Sequence, residues 1–185
     1  MTALLPTGPT VCRRRHTLIA CCLLLLGSLL ALPPAWAGNS LRVGKPAPPV
    51  ALLSIDGQTL DTSAMTGQVV VVTFWATWCG ACLQELPLLS AYAKTHAAEG
   101  LRVVGISLDT PDNMDAVRTM ARQLSFPVGL LGSDRIAGYG RIWRLPVSFV
   151  IDRQGRLVDN GWNDDQPALT GERLEQQVTP LLAKP

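Results

Sequence analysis

Apolar residues fall in blocks along this chain, and the spacing within each block points to a different kind of element. Residues 69–75 (VVVVTFW) are apolar without alternation and rich in β-branched side chains. That pattern marks a strand covered on both faces, as in a parallel sheet. Residues 101–108 (LRVVGISL) repeat it. Between them Leu83, Leu86 and Leu89 or Ser90 recur at helical spacing. They predict a helix over 80–98, which Pro87 should kink because proline lacks a donor and crowds the preceding turn. Met114, Val117, Ala121 and Leu124 mark one face of a second helix over 109–124, with Asp112 as its cap. A short strand at 127–131 and a short helix at 133–139 follow. Residues 147–151 and 156–162 flank Asp152-Arg153-Gln154-Gly155 and read as a β-hairpin. Leu174, Val178, Leu181 and Leu182 define a closing helix that Pro180 ends or bends. Ahead of all these, 50–55 and 58–60 bracket Asp56-Gly57, a strong hairpin turn signal.

The order is therefore β-β, then β-α-β-α-β, a helical turn, a β-hairpin and a helix. Strands alternating with helices predict an α/β domain over 50–185, built on a mixed central sheet with an N-terminal β-hairpin extension. Strands joined through a helix run parallel, and the last hairpin is antiparallel. Residues 38–49, rich in Gly and Pro, read as a linker.

One apolar block stands apart. Residues 17–32 are almost continuously apolar, follow Arg13, Arg14 and Arg15, and lead into Pro33, Pro34 and Ala35-Trp36-Ala37. A positive start, an apolar middle and a small-residue site form a secretory signal peptide, residues 1–37, cut after Ala37. The apolar run is short for a membrane span of roughly 20 residues; an uncleaved anchor would have to recruit the prolines and Trp36. Leu18-Ile19-Ala20-Cys21 resembles a lipobox, but cleavage there would leave almost no apolar run. The arginines resemble a twin-arginine signal only faintly. The expected location is the bacterial periplasm, with inner-membrane anchoring if the segment stays.

Export changes what composition means. The whole chain has 16 Lys+Arg and 14 Asp+Glu, net +2; three of the basic residues and none of the acidic ones precede residue 38, so the remainder is near −1. The basic excess is a targeting feature and gives no support for nucleic-acid binding. About 148 of the 185 residues remain, one domain with room for a core. Cys12, Cys21 and Cys22 leave with the signal, so only Cys79 and Cys82 reach an oxidising compartment.

Such a pair has three chemical uses. As a staple it would restrain little chain entropy, because the loop it closes is so short. A closed zinc site needs four ligands, and the exported part holds one histidine, His96, in a polar stretch that reads as a solvated helix end. Two soft thiolates suit Cu(I), though nothing else in the sequence supports it. The third use is redox cycling. Cys79 follows the buried strand and opens the next helix, where free N–H groups and the helix dipole favour a thiolate. Cys82 lies one turn inside on the same face. Position alone makes Cys79 the attacking thiol and Cys82 the resolving one.

Trp78-Cys79-Gly80-Ala81-Cys82 after VVVVTFWAT resembles the active site of the thioredoxin superfamily, and more narrowly the TlpA/ResA-type thiol-disulfide oxidoreductases. The likeness runs from Gly44-Lys45-Pro46-Ala47-Pro48 to the last helix. Leu145-Pro146-Val147-Ser148-Phe149-Val150-Ile151-Asp152 resembles that family's cis-proline segment, which implies a cis Leu145–Pro146 bond opposite the cysteines. It implies a thioredoxin fold, a redox disulfide in place of any cofactor or metal, and Trp78, Leu145 and Pro146 as substrate contacts. Its implied partners are a disulfide-containing exported protein and a membrane electron donor that re-reduces the pair; one family role is reducing apocytochrome c before haem attachment. Thioredoxin proper has a buried aspartate where this chain has Thr73. The TlpA/ResA type has a glutamate three residues after the second cysteine, here Glu85, which implies a proton carrier for Cys82. Ala81 replaces a proline common among relatives, so no potential transfers from them. Arg141, Trp143 and Arg144 read as a solvated loop beside the proline segment or as the rim of a docking groove. Two rival functions stay open. One is a copper-binding or redox-sensing module. The other is a peroxiredoxin-like peroxidase, although the P-x-x-x-T-x-x-C pattern of those enzymes is missing before Cys79.

Overall fold

A computed structural model describes residues 41–131, 138–163, 165 and 168–183. The expected signal segment and most of the short helix expected at 133–139 lie outside the described residues. Strand β1, Ala51–Leu53, pairs antiparallel with β2, Thr59–Asp61. Gly57 turns the hairpin at φ 80°, a left-handed conformation that glycine adopts without steric cost. The main sheet has the order β5-β4-β3-β6-β7. Its members are β3 (Val69–Trp75), β4 (Leu101–Ser107), β5 (Val128–Leu130), β6 (Val147–Ile151) and β7 (Leu157–Asn160). β3, β4 and β5 run parallel, while β6 and β7 are antiparallel to their neighbours. The mixed sheet is the one the pattern of strands and helices predicts.

All seven residues of β3 are buried, which is why its sequence does not alternate. Val69, Val71 and Trp75 face the cluster formed by α1 (Gly80–His96), Val117 of α2 (Met114–Ala121), Leu174 of α3 (Gly171–Gln177) and Leu182 of α4 (Thr179–Leu182). Val70, Val72 and Phe74 face the other way, toward Val50, Leu60, Tyr139 and Phe149. Thr73 belongs by alternation to the α1 face. The segment expected as a linker lies along the sheet at residues 44–47: Gly44 N donates to Leu157 O, Leu157 N to Lys45 O and Ala47 N to Gly155 O.

Several boundaries differ from expectation: α1 ends at His96 and α2 at Ala121, short of the expected 98 and 124. Residues 109–113 are not part of the second helix. A single 3-10 turn, Pro111–Asn113, precedes α2, and Asp112 lies inside that turn instead of capping the helix; the cap positions fall to Thr110 and Asn113, neither of which makes a side-chain cap bond. Asp109 is drawn inward by donors on the loop before α1. The last strand stops at Asn160, whose side-chain oxygen accepts from Trp162 N and starts the 3-10 turn Gly161–Asn163. Pro180 acts as expected, splitting the closing helix at Val178 into α3 and α4. α1 continues through Pro87 to His96. Among the described residues no helix is long and apolar enough to cross a membrane.

Candidate active site

The site lies at the C-terminal end of β3. Cys79 is the N-cap residue of α1, with extended backbone, and its Sγ accepts the Cys82 N–H at 3.1 Å. Cys79 and Cys82 are joined as a disulfide with Cα atoms 5.2 Å apart. Cys79 keeps 8 % exposure and Cys82 none, so one sulfur is near the surface and the other inside. A helix start without an acidic side chain in its first turn leaves its positive end to the sulfur.

One turn beyond Cys82, Glu85 is 5 % exposed. Its Oε1 accepts from Thr73 Oγ1 at 3.5 Å and Ser148 Oγ at 3.3 Å, and its Oε2 from Leu169 N at 3.0 Å. Thr73 and Ser148 are register partners across β3 and β6, so two neighbouring strands put hydroxyls under one carboxylate. Burial pushes the Glu85 carboxyl up from 4.5 to about 7; the bonds from Leu169, Ser148 and Thr73 and the charge of Arg173 pull the other way and do not win. A buried acid near neutrality is suited to taking and returning a proton. Arg173 itself pairs with Asp159 at 2.8 Å.

The Leu145–Pro146 bond is cis. Pro146 is buried and precedes Val147, the register partner of Phe74, so the proline segment reaches the same end of the sheet as the cysteine loop. Leu145 is half-buried. Trp78 is 65 % exposed beside Cys79. Trp143, 68 % exposed, stacks on Trp162 with ring centres 5.6 Å apart, and the Arg144 guanidinium lies 5.1 Å from the Trp143 ring. Arg144 also donates to Gly161 O. Arg141 is exposed. Trp75, by contrast, is fully buried in the core. His96 ends α1 with its Nδ1 2.9 Å from Glu99 Oε1. Among the described residues no group of three His, Cys, Asp or Glu side chains is placed to hold a metal.

The anchor of the cysteine loop was not legible in the sequence. Asp109 Oδ2 accepts from Thr77 N at 2.8 Å and from Ser107 Oγ at 2.6 Å; its Oδ1 accepts from Thr77 Oγ1 at 2.5 Å. Nor were Ser148 and the Leu169 amide legible as partners of Glu85. No local signal marks the contacts of Asp109 with Thr77 or of Glu85 with Ser148 and Leu169, since these partners lie 32 to 84 residues apart in the chain.

A model of the AhpC/TSA family matches residues 43–160, well over half of the chain. The chain belongs to the AhpC/TSA family. Within the thioredoxin superfamily it is a thiol-disulfide oxidoreductase, the activity its relatives carry in their names. Thiol-disulfide oxidoreductase ResA of a Bacillus cereus strain is 28 % identical over 148 residues, 79 % of this chain and 80 % of the relative. ResA of Oceanobacillus iheyensis is 30 % identical over 138 residues, 72 % of this chain and 70 % of the relative. The crystal structure of a thiol:disulfide interchange protein of the thioredoxin family from Chlorobium tepidum TLS is 28 % identical with a TM-score of 0.66, covering 77 % of this chain and 98 % of that one. The matched span of the family model contains the Cys79–Cys82 disulfide and the strands that surround it.

Proposed function

We propose that this oxidoreductase works outside the cytoplasm as a disulfide reductase for exported proteins, with no cofactor besides its own cysteine pair. The observation that carries the reading is the placement of Cys79 Sγ on the Cys82 N–H at the start of α1. In the dithiol form the Cys79 thiolate attacks one sulfur of a partner disulfide. The partner S–S bond breaks, a mixed disulfide forms and one partner thiolate leaves. Cys82 then gives its proton to Glu85 and attacks Cys79 Sγ. The Cys79–Cys82 bond forms and the second partner thiolate leaves, to be protonated. Two electrons pass to the partner, and a membrane electron donor restores the dithiol. Apocytochrome c is the partner the TlpA/ResA resemblance favours. The ResA relatives support a periplasmic or membrane-anchored location.

A trap tests the assignment of the two sulfurs. Cys82→Ser should accumulate a mixed disulfide with a model substrate, while Cys79→Ser should form none. Disulfide reductase activity retained in both single variants would sink it. The AhpC/TSA match raises peroxide reduction as a second reading. However, Ala76 and Val72 occupy the positions where the P-x-x-x-T-x-x-C pattern has threonine and proline. Peroxide consumption by the reduced protein should therefore run far below its rate with a protein disulfide; the reverse order would favour the peroxidase.

A further inference from the structure

The reaction scheme gives Asp109 no part, yet it is only 4 % exposed and its carboxylate takes donors from the cysteine loop, from the end of β4 and from the 3-10 turn before α2. Thr77 supplies both its amide and its hydroxyl, Ser107 its hydroxyl and Asn113 its side-chain amide at 3.4 Å. The Asp109 amide donates in turn to Ser107 Oγ at 3.0 Å, so the carboxylate is itself held from β4. We propose that Asp109 is a positioning residue for the attacking cysteine, gripping Thr77 through amide and hydroxyl so that the turn into α1 presents Cys79 in one geometry. The proposal rests on the reading of Cys79 as nucleophile.

The loop transmits this grip to the sulfur. β3 hands over at Trp75, whose carbonyl accepts from Leu108 N at 2.8 Å. The chain then turns, and Cys79 N donates to Ala76 O at 3.2 Å. Only Trp78 and Cys79 separate Thr77 from the first helical residue, and Trp78 is exposed. Two bonds to one residue fix its orientation as well as its place. The thiolate gains from the helix start only if Sγ stays where the Cys82 amide can donate, and a displacement of about 1 Å at a reacting centre can cost roughly 100-fold in rate. Burial works against the Asp109 charge, but the donors from Ser107, Thr77 and Asn113 outweigh it and hold the carboxyl below its ordinary range. The grip is therefore charge-assisted, and strong, wherever the carboxyl is ionised.

The test uses the reduced protein, a small aromatic disulfide as substrate, and the ultraviolet absorbance of the thiolate to follow the Cys79 titration. Thr77→Val keeps the amide bond and loses the hydroxyl; Asp109→Ala loses both. We expect attack to slow at least tenfold in Asp109→Ala and less in Thr77→Val, with the Cys79 pKa displaced in each and the circular dichroism unchanged. Thr77→Ser, which retains the hydroxyl, should recover most of the loss. If Asp109→Ala does not fold, the Thr77 pair decides. Rates within twofold of the parent and an unmoved Cys79 titration would overturn the proposal, as would a loss no larger than the unfolded fraction. Failure of the parent protein to reduce any disulfide would instead strike the proposed function, and the titration of Cys79 would still report on the grip.

Discussion

At the scale of single residues, Glu85 is where the site's electrostatics can be measured. The fold buries a carboxyl under two hydroxyls and one amide, and burial raises its pKa to about 7. Below about pH 4.5 the group is protonated in both folded and unfolded chains. Between there and about pH 7 the unfolded chain gives up its proton while the folded chain keeps it, so stability falls as pH rises. Above that window the charge is buried at a cost of about 3 kcal/mol, at roughly 1.4 kcal/mol per pKa unit. Glu85→Gln should remove this slope: urea midpoints at pH 5 and pH 8 should differ less in the variant than in the parent. An identical difference in both proteins would contradict the burial of the ionised form. The same substitution should slow resolution of the mixed disulfide, because Gln accepts no proton from Cys82. Glu85 was legible in the sequence as a helical neighbour of Cys82, through its spacing and the family resemblance. Its hydroxyl partners were not, since Ser148 lies 63 residues away. Asp109 was misread for the same reason: beside Pro111 and Asp112 it looks like the start of a helix, and only its meeting with Thr77, 32 residues earlier, shows otherwise.

At the scale of elements, the strands were the most legible because burial on both faces writes itself into composition. The five residues of β6 are buried like those of β3. What composition could not show is how the first hairpin joins the sheet. Ile55 N donates to Val128 O at 2.8 Å, and Ser54 bridges to Gly129, so the hairpin covers the β5 edge that would otherwise stand open. Gly129 permits this approach. A Cβ there would fall 2.1 Å from Leu52 Cδ1 and 2.9 Å from the Leu53 carbonyl oxygen. The leucine can rotate away, but the carbonyl is backbone and cannot move without pulling the hairpin off the edge. Gly129→Ala should therefore lower stability by about 1–3 kcal/mol. Limited proteolysis should then cut first near Asp56-Gly57. A variant as stable and as resistant as the parent would mean that the hairpin is not tied to the sheet through this contact.

At the scale of the whole molecule, the chemistry and the closure of the fold sit at opposite ends of β3. The cysteines follow its last residue, while its first residue, Val69, donates to Gly100 O. Arg153, in the turn between β6 and β7, gathers that far end. Its Nη1 donates to Gly67 O at 2.8 Å, and its Nη2 to Glu99 O at 2.8 Å and Leu182 O at 2.9 Å. One guanidinium thus ties the loop before β3, the turn that follows α1 and the closing helix α4. In sequence Arg153 is merely a charged residue of a hairpin turn, because these acceptors are backbone carbonyls that leave no mark in residue type. Bonds from a charged donor are worth about 1.5–3 kcal/mol each when buried and less near solvent, so Arg153→Ala should cost about 2 kcal/mol in chemical denaturation. The loss should be felt at the closing helix first, as faster amide exchange in 179–182. The rate of a small aromatic disulfide with the reduced protein should stay within twofold, because the carbonyls that Arg153 gathers lie at the end of the sheet away from the cysteines. A variant that lost rate in step with stability would show that the two ends are mechanically coupled, and the division of labour along β3 would have to be abandoned.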